Sequence, residues 1–192
     1  MLWLIAGLVL LLGVHSVGAL APATRERAVA RLGAGPWKGI YSLVSLAGLA
    51  LVVWGFGIAR HDPIVVWRPP AWMAHVTALF AVVGFVLVAA AYIPGSRIKT
   101  VLGHPMLAGV KVWAFGHLIG NGSLAGIALF GALLVWSAWM FGTLRRRDRA
   151  AAKTYPRGSG TRDVAAVIAG VVVALAFAKY LHGPLIGLAP FG

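Results

Sequence analysis

Residues 104–121 read HPMLAGVKVWAFGHLIGN, and this stretch decides the class of fold. The run is long enough and apolar enough to cross a membrane as a helix. It nevertheless carries the imidazoles of His104 and His117 and the ammonium group of Lys111. Polar groups at membrane depth are costly and are usually kept for a function. We therefore expect a functional site along this helix.

The composition is that of an integral membrane protein. The chain has 192 residues, of which 60% are hydrophobic and 11% are charged, with a mean hydropathy of +0.89. A soluble domain of this size is far less apolar. The absence of cysteine excludes disulfides, thiolate catalysis and cysteine-ligated iron–sulfur clusters. The acidic residues all lie near predicted loops, so a mechanism with paired carboxylates has no suitable groups: Glu26, Asp62, Asp148 and Asp163.

Six apolar segments predict an all-α, polytopic transmembrane bundle of about six helices. Proline and glycine mark the gaps between these segments, and nothing in the chain suggests a separate soluble domain. Residues 1–192 are therefore predicted to form a single membrane domain. The predicted segments are Leu2–Leu20, Ile40–Ile58, Trp72–Ile93, Leu107–Ile119, Leu124–Phe141 and Val164–Leu181.

The net charge of +13 predicts topology rather than nucleic-acid binding. Most of the 17 Lys and Arg residues lie in the first, third and fifth loops, which the positive-inside rule places in the cytoplasm. Both termini are then outside. The fifth loop, about residues 144–162, is Arg-rich and followed by Pro and Gly, so it is predicted to be flexible.

Three histidines lie where a membrane-embedded metal site needs ligands: His15, His104 and His117. Neutral imidazole is a common axial ligand of heme iron. Thirteen residues separate His104 from His117, so the two rings point about 140° apart and cannot hold one metal from a straight helix. The depths of the residues favour His15 and His104 as the metal ligands, with His117 as the alternative. The other interpretation is that these histidines only form hydrogen bonds between helices.

The helical phase also selects neighbours for each candidate ligand. Lys111 follows His104 by seven residues and shares its face, while Asn121 follows His117 by four. Lys111 is therefore expected beside a cofactor held by His104, where it could meet a heme propionate. A cofactor held by His117 would have Asn121 and Trp113 beside it.

Several motifs resemble the NnrU family of membrane proteins, and the resemblance covers nearly the whole chain. The motifs are Gly13-Val14-His15, Tyr41 to Gly48, Tyr92-Ile93-Pro94-Gly95, His104 to Trp113, His117 to Asn121 and Leu129-Phe130-Gly131. The resemblance implies a role associated with denitrification, the reduction of nitrite and nitric oxide, in the inner (cytoplasmic) membrane of a bacterium. The family is related to 15-cis-ζ-carotene isomerase, which binds heme b through histidines. This relationship implies heme b here, with His15 and one histidine of the fourth segment as ligands.

The expected function is therefore that of a heme-binding membrane protein acting by electron transfer, heme handling or response to nitric oxide. One alternative is a heme-dependent isomerase of a polyene or another lipid, so the sequence leaves open whether the protein is an enzyme. A second alternative is a cofactor-free assembly factor or transporter. The expected partners are membrane lipid and either a redox partner or a small apolar substrate within the bundle. The oligomeric state is not predicted.

Overall fold

Helices form almost the entire length of the chain in the computed structural model, which describes residues 1–187. No strand occurs in that range, and the predicted all-α class is confirmed. A π-helical segment, Phe177–Leu181, joins the last two helices. The helices are α1 (Leu2–Leu20), α2 (Pro22–Leu32), α3 (Ala34–Ala59), α4 (Met73–Tyr92), α5 (Arg97–Leu102), α6 (Pro105–Gly120), α7 (Leu124–Ala150), α8 (Gly160–Ala176) and α9 (His182–Ile186).

Five helical stretches are long and apolar enough to span a membrane, which makes the chain a multi-pass membrane protein. They are α1, α3, α4, α7 and the continuous stretch Gly160–Ile186. The fourth predicted segment corresponds to α6, which has 16 residues and is shorter than these five. A total of six spans and the outside location of both termini stay predictions.

The chain forms two compact units, the first over Met1–Ile64 and the second from Val65 onward. In the first unit α1 packs antiparallel against α3, with glycines at the closest approach. A Cβ atom at Gly48 would lie 2.8 Å from the backbone nitrogen of Leu11, and Gly55 faces Leu4 in the same way. Small residues let apolar helices approach closely where no hydrophobic effect drives them together. That the whole chain is one domain stays a prediction.

In the second unit α4 is the central helix, since both α6 and α8 pack against it. The α4–α6 pair is antiparallel and closest where Gly84 faces Gly109. Farther along, the Thr77 hydroxyl donates a hydrogen bond to the Gly116 carbonyl oxygen at 3.0 Å. Helix α7 then packs on α6, so α6 lies between α4 and α7. The helix that carries most of the predicted site is therefore held on two sides.

The predicted loop over residues 144–162 is wrong at both boundaries. Helix α7 continues to Ala150, because arginine is a good helix former and its charge is favourable near a helix C-terminus. Helix α8 already begins at Gly160, after Ser159 caps it by accepting a hydrogen bond from the backbone N–H of Thr161. The connection left between them, residues 151–159, contacts α5: the Thr100 hydroxyl donates to the Pro156 carbonyl oxygen at 2.7 Å. The flexibility of this connection stays a prediction.

Candidate functional site

His117 lies on α6 between two aromatic rings. Its ring centroid is 4.5 Å from that of Trp113 and 4.9 Å from that of Phe130 on α7. The Nδ1 atom donates to the Trp113 carbonyl oxygen at 2.9 Å, so the Nε2 atom carries the free lone pair. Within residues 1–187, Nε2 has no hydrogen-bond partner. The imidazole is thus fixed in orientation and presents one unprotonated nitrogen.

The π-helical segment brings His182 to the same part of the second unit. His182 lies within electrostatic reach of His117. The Phe177 ring packs edge-on against His182 at 6.2 Å and also contacts Phe85 of α4 at 5.7 Å. A π-bulge shifts the phase of a helix and is frequent at functional sites. Sequence reasoning did not place His182 in the site, because a π-helical turn has no clear sequence signal.

Asn121 lies in the turn between α6 and α7. Its Oδ1 atom accepts hydrogen bonds from the backbone nitrogen of Ser123 at 3.0 Å and from the Ser123 hydroxyl at 2.8 Å. Ser123 in turn caps α7 by accepting from the Gly126 nitrogen at 3.1 Å. Asn121 therefore shapes the turn that positions Phe130 of α7 relative to His117. Its predicted contact with a cofactor stays a prediction.

His104 precedes α6 and pairs with Asp148, near the C-terminal end of α7. Its Nε2 atom lies 2.8 Å from Asp148 Oδ2, which also accepts a hydrogen bond of 2.5 Å from the Tyr155 hydroxyl. The ammonium group of Lys153 is 3.5 Å from Asp148 Oδ1. The carboxylate is only 13% exposed, so these partners compensate a largely buried charge. The sequence placed Asp148 in a solvated loop, and the extension of α7 explains the difference.

The Tyr155 hydroxyl stays protonated at neutral pH and donates its hydrogen bond to the Asp148 carboxylate. Burial and then the hydrogen bond to Asp148 raise the pKa of the Tyr155 hydroxyl above its ordinary value. The hydrogen bond to Tyr155, followed by the negative charge of Asp148, raises the pKa of the Lys153 ammonium group. Lys153 and Tyr155 therefore both stay protonated at neutral pH. The group of His104, Asp148, Lys153 and Tyr155 is here called the Asp148 cluster.

Lys111 and His104 contact the same aromatic ring, as their spacing of seven residues predicts. The ammonium nitrogen of Lys111 lies 4.9 Å from the Phe141 ring centroid, and the His104 ring centroid lies 6.5 Å from it. A cation over an aromatic face is attracted by the negative face of the ring. Phe141 therefore gives Lys111 a favourable position in an apolar surrounding.

His15 belongs to the first unit, where it lines an open cleft between α1, α2 and α3. Its Nδ1 atom donates to the Leu11 carbonyl oxygen at 2.8 Å, and its ring packs against Tyr41 at 5.3 Å. His15 and His117 thus share one local geometry, in which Nδ1 is bound to the carbonyl oxygen four residues earlier. The structure places His104, Lys111, His117 and Asn121 in the second unit.

Throughout the described part of the chain, no three His, Asp or Glu residues form a group that could hold a metal ion. A metal bound there as a free ion would lack ligands, since zinc and similar ions need three or four protein donors. A heme iron needs only one or two, because the porphyrin supplies the other four. Isolated imidazoles whose Nδ1 atoms are already bound fit an axial role, in which Nε2 is the ligand atom.

A family model matches nearly the whole chain. No curated protein and no solved structure matches the chain. The family model described as NnrU protein matches residues 3–190. This match spans both units and every candidate residue discussed above, and the chain belongs to the NnrU family.

Proposed function

We propose that this protein binds heme b in the cytoplasmic membrane of a bacterium and supports nitrogen-oxide respiration. The observation that carries the proposal is the geometry of His117. Its Nδ1 atom is bound to the Trp113 carbonyl oxygen, and its Nε2 atom has no partner among the described residues. A histidine that ligates a metal almost always donates its other ring N–H in this way, which fixes the tautomer.

The residues around His117 would each serve a heme in a definite way. Trp113 orients the imidazole through its carbonyl oxygen and contacts one face of the ring, while Phe130 contacts it from α7. Phe130 is 5% exposed, so this side of the site is closed to water. Bound heme would supply reversible one-electron chemistry or an iron position for a small gas. An apolar shell and axial imidazoles are the means by which a protein sets the potential of such a group.

His104 and Lys111 point away from His117 around the axis of α6, by about 140° and about 120° at 100° per residue. The Nε2 atom of His104 already contacts Asp148, so only the Nδ1 atom of His104 is left to bind a metal. We therefore favour His117 over His104 as the iron ligand of the fourth predicted segment. Lys111, held over Phe141, lies beside His104 instead, so its contact with a heme propionate belongs to the alternative in which His104 is the iron ligand. His15 lies in the first unit, and its role as an iron ligand stays a prediction that the His15→Ala variant tests.

Heme content of the purified full-length chain tests the proposal. The protein would be expressed with heme supplied, solubilised in detergent, and assayed for heme per chain and for oxidised and reduced spectra. The variants are His117→Ala, His15→Ala and His104→Ala, with His75→Ala as a control near the start of α4. We expect one b-type heme in the wild type and in His75→Ala, and a lost or altered spectrum in His117→Ala.

Two results separate the competing functions. Reduced protein that binds carbon monoxide or nitric oxide has an open iron position, which a gas sensor or an isomerase needs and electron transfer does not. A closed, low-spin spectrum in both redox states would favour electron transfer. A wild type without heme, despite ample supply, would refute the proposal and leave a cofactor-free assembly factor or transporter.

A further inference from the structure

The first unit contains a basic cleft, which His15 also lines, and the two cationic side chains of this cleft have no role in the proposed heme function. It has a volume of about 340 Å³ and opens where the end of α1, the helix α2 and the start of α3 meet. Two cationic side chains, Arg25 and Lys38, line it together with the aromatic rings of Trp37 and Tyr41. The cleft therefore combines positive charge with flat apolar surface.

The two cations of this cleft have no ion-pair partner in residues 1–187. Among residues 1–187, the ion pairs all involve Asp148, which belongs to the second unit. Arg25 and Lys38 form neither an ion pair nor a side-chain hydrogen bond in that range. Two unpaired cations on one concave surface repel each other, and an anion placed between them relieves the repulsion. The ligand that fits is therefore an anion.

The position of the cleft along the chain indicates which anion. Helix α2 connects α1 and α3, two of the candidate spans, and none of its residues is buried. A short basic helix between two spans belongs at the membrane surface, where Trp and Tyr side chains also concentrate. Val14 and Val17 of α1 extend the wall of the cleft with apolar surface. A phosphate group would pair with the two cations, and an acyl chain would pack along the two valines.

We propose that this cleft is a binding site for one anionic phospholipid of the phosphatidylglycerol type, whose phosphate is held by Arg25 and Lys38. Trp37 and Tyr41 would contact the glycerol region, at the depth where such rings prefer to lie. The site differs from general attraction of a basic surface to anionic lipid, because it has a defined volume and defined partners.

The test uses the full-length chain, solubilised in detergent and delipidated. The chain is then titrated with phosphatidylglycerol or with phosphatidylcholine, and native mass spectrometry counts the bound lipid molecules. The test variant is Arg25→Gln with Lys38→Gln. The control is Arg27→Gln with Arg31→Gln, which removes the same charge from α2 but spares the cleft lining. A direct hydrogen bond to a charged group contributes about ten-fold in affinity, so loss of both contacts should weaken phosphatidylglycerol binding about 100-fold. The control should bind like the wild type.

Several outcomes overturn the proposal. Equal weakening in both double variants would mean that lipid senses only net charge. Equal binding of phosphatidylcholine by the wild type would remove the preference for an anion. Competition by glycerol 1-phosphate alone, without acyl chains, would identify a soluble phosphate as the ligand. Loss of heme rather than lipid in the test variant would assign the cations to a propionate. The double variant Arg25→Lys with Lys38→Arg keeps both positive charges. If it still binds phosphatidylglycerol, the proposal is supported and the cleft is shown to fold in a variant of both residues.

Discussion

Replacing Gly109 by alanine tests the close packing that positions α6. A Cβ atom at this position would lie 2.6 Å from the Gly84 carbonyl oxygen and 3.0 Å from a methyl carbon of Val88. Ordinary contact begins at 3.4 Å. The two backbones must therefore separate by about 0.8 Å, and overpacking of this kind costs about 1–3 kcal/mol. The carbonyl oxygen belongs to the α4 backbone, so no side-chain rotation can absorb the change.

Gly131→Ala is the matched control, because a Cβ atom there meets no atom within 4 Å. Alanine is favoured over glycine inside a helix by about 1 kcal/mol, and this gain applies to both variants. Equilibrium unfolding in mixed detergent micelles should therefore show Gly109→Ala to be less stable than Gly131→Ala by about 1–3 kcal/mol. Equal stability of the two variants would refute the proposed α4–α6 contact. So would a Gly109→Ala protein that is the more stable of the pair.

Two further predictions concern the Asp148 cluster. Asp148→Asn removes the charge to which His104 and Tyr155 bind, so the free energy of unfolding should fall. The control Asp62→Asn breaks no ion pair in the described range and should change the free energy of unfolding by less than about 0.5 kcal/mol. An equal loss of stability in both variants would contradict the contacts of Asp148 with His104 and Tyr155. The Tyr155 hydroxyl has a raised pKa, so its contribution to stability is full below its ordinary value of 10.0 and is lost as pH rises through the higher value in the folded protein. The stability difference between wild type and Tyr155→Phe should therefore vanish in strongly alkaline solution, and a difference that persists there would count against the raised pKa.

The sequence was most informative where one physical effect dominates. Apolar runs bounded by proline and glycine predicted α1 at its observed boundaries, Leu2–Leu20, and α4 within one residue at each end. The spacing of four residues between Trp113 and His117 predicted their contact on one face of α6. These features depend on local geometry, which the residue pattern expresses directly.

Features that depend on tertiary contact were missed. The sequence placed Asp148 in a solvated loop, whereas the structure pairs its carboxylate with His104 and Tyr155. The approach of His182 toward His117 depends on a π-helical turn and on packing against α4, neither of which a single sequence reveals. Partners far apart in the chain are set by the fold as a whole, and residue spacing within one helix does not predict them.

Chemical rescue of His117→Gly tests the central claim most directly. The variant would be purified with heme supplied, and its ferric spectrum would be recorded before and after addition of free imidazole. If the Nε2 atom of His117 ligates the iron, the variant loses the wild-type low-spin spectrum and imidazole restores it. A His117→Gly protein whose heme content and spectrum equal those of the wild type without imidazole would contradict the account.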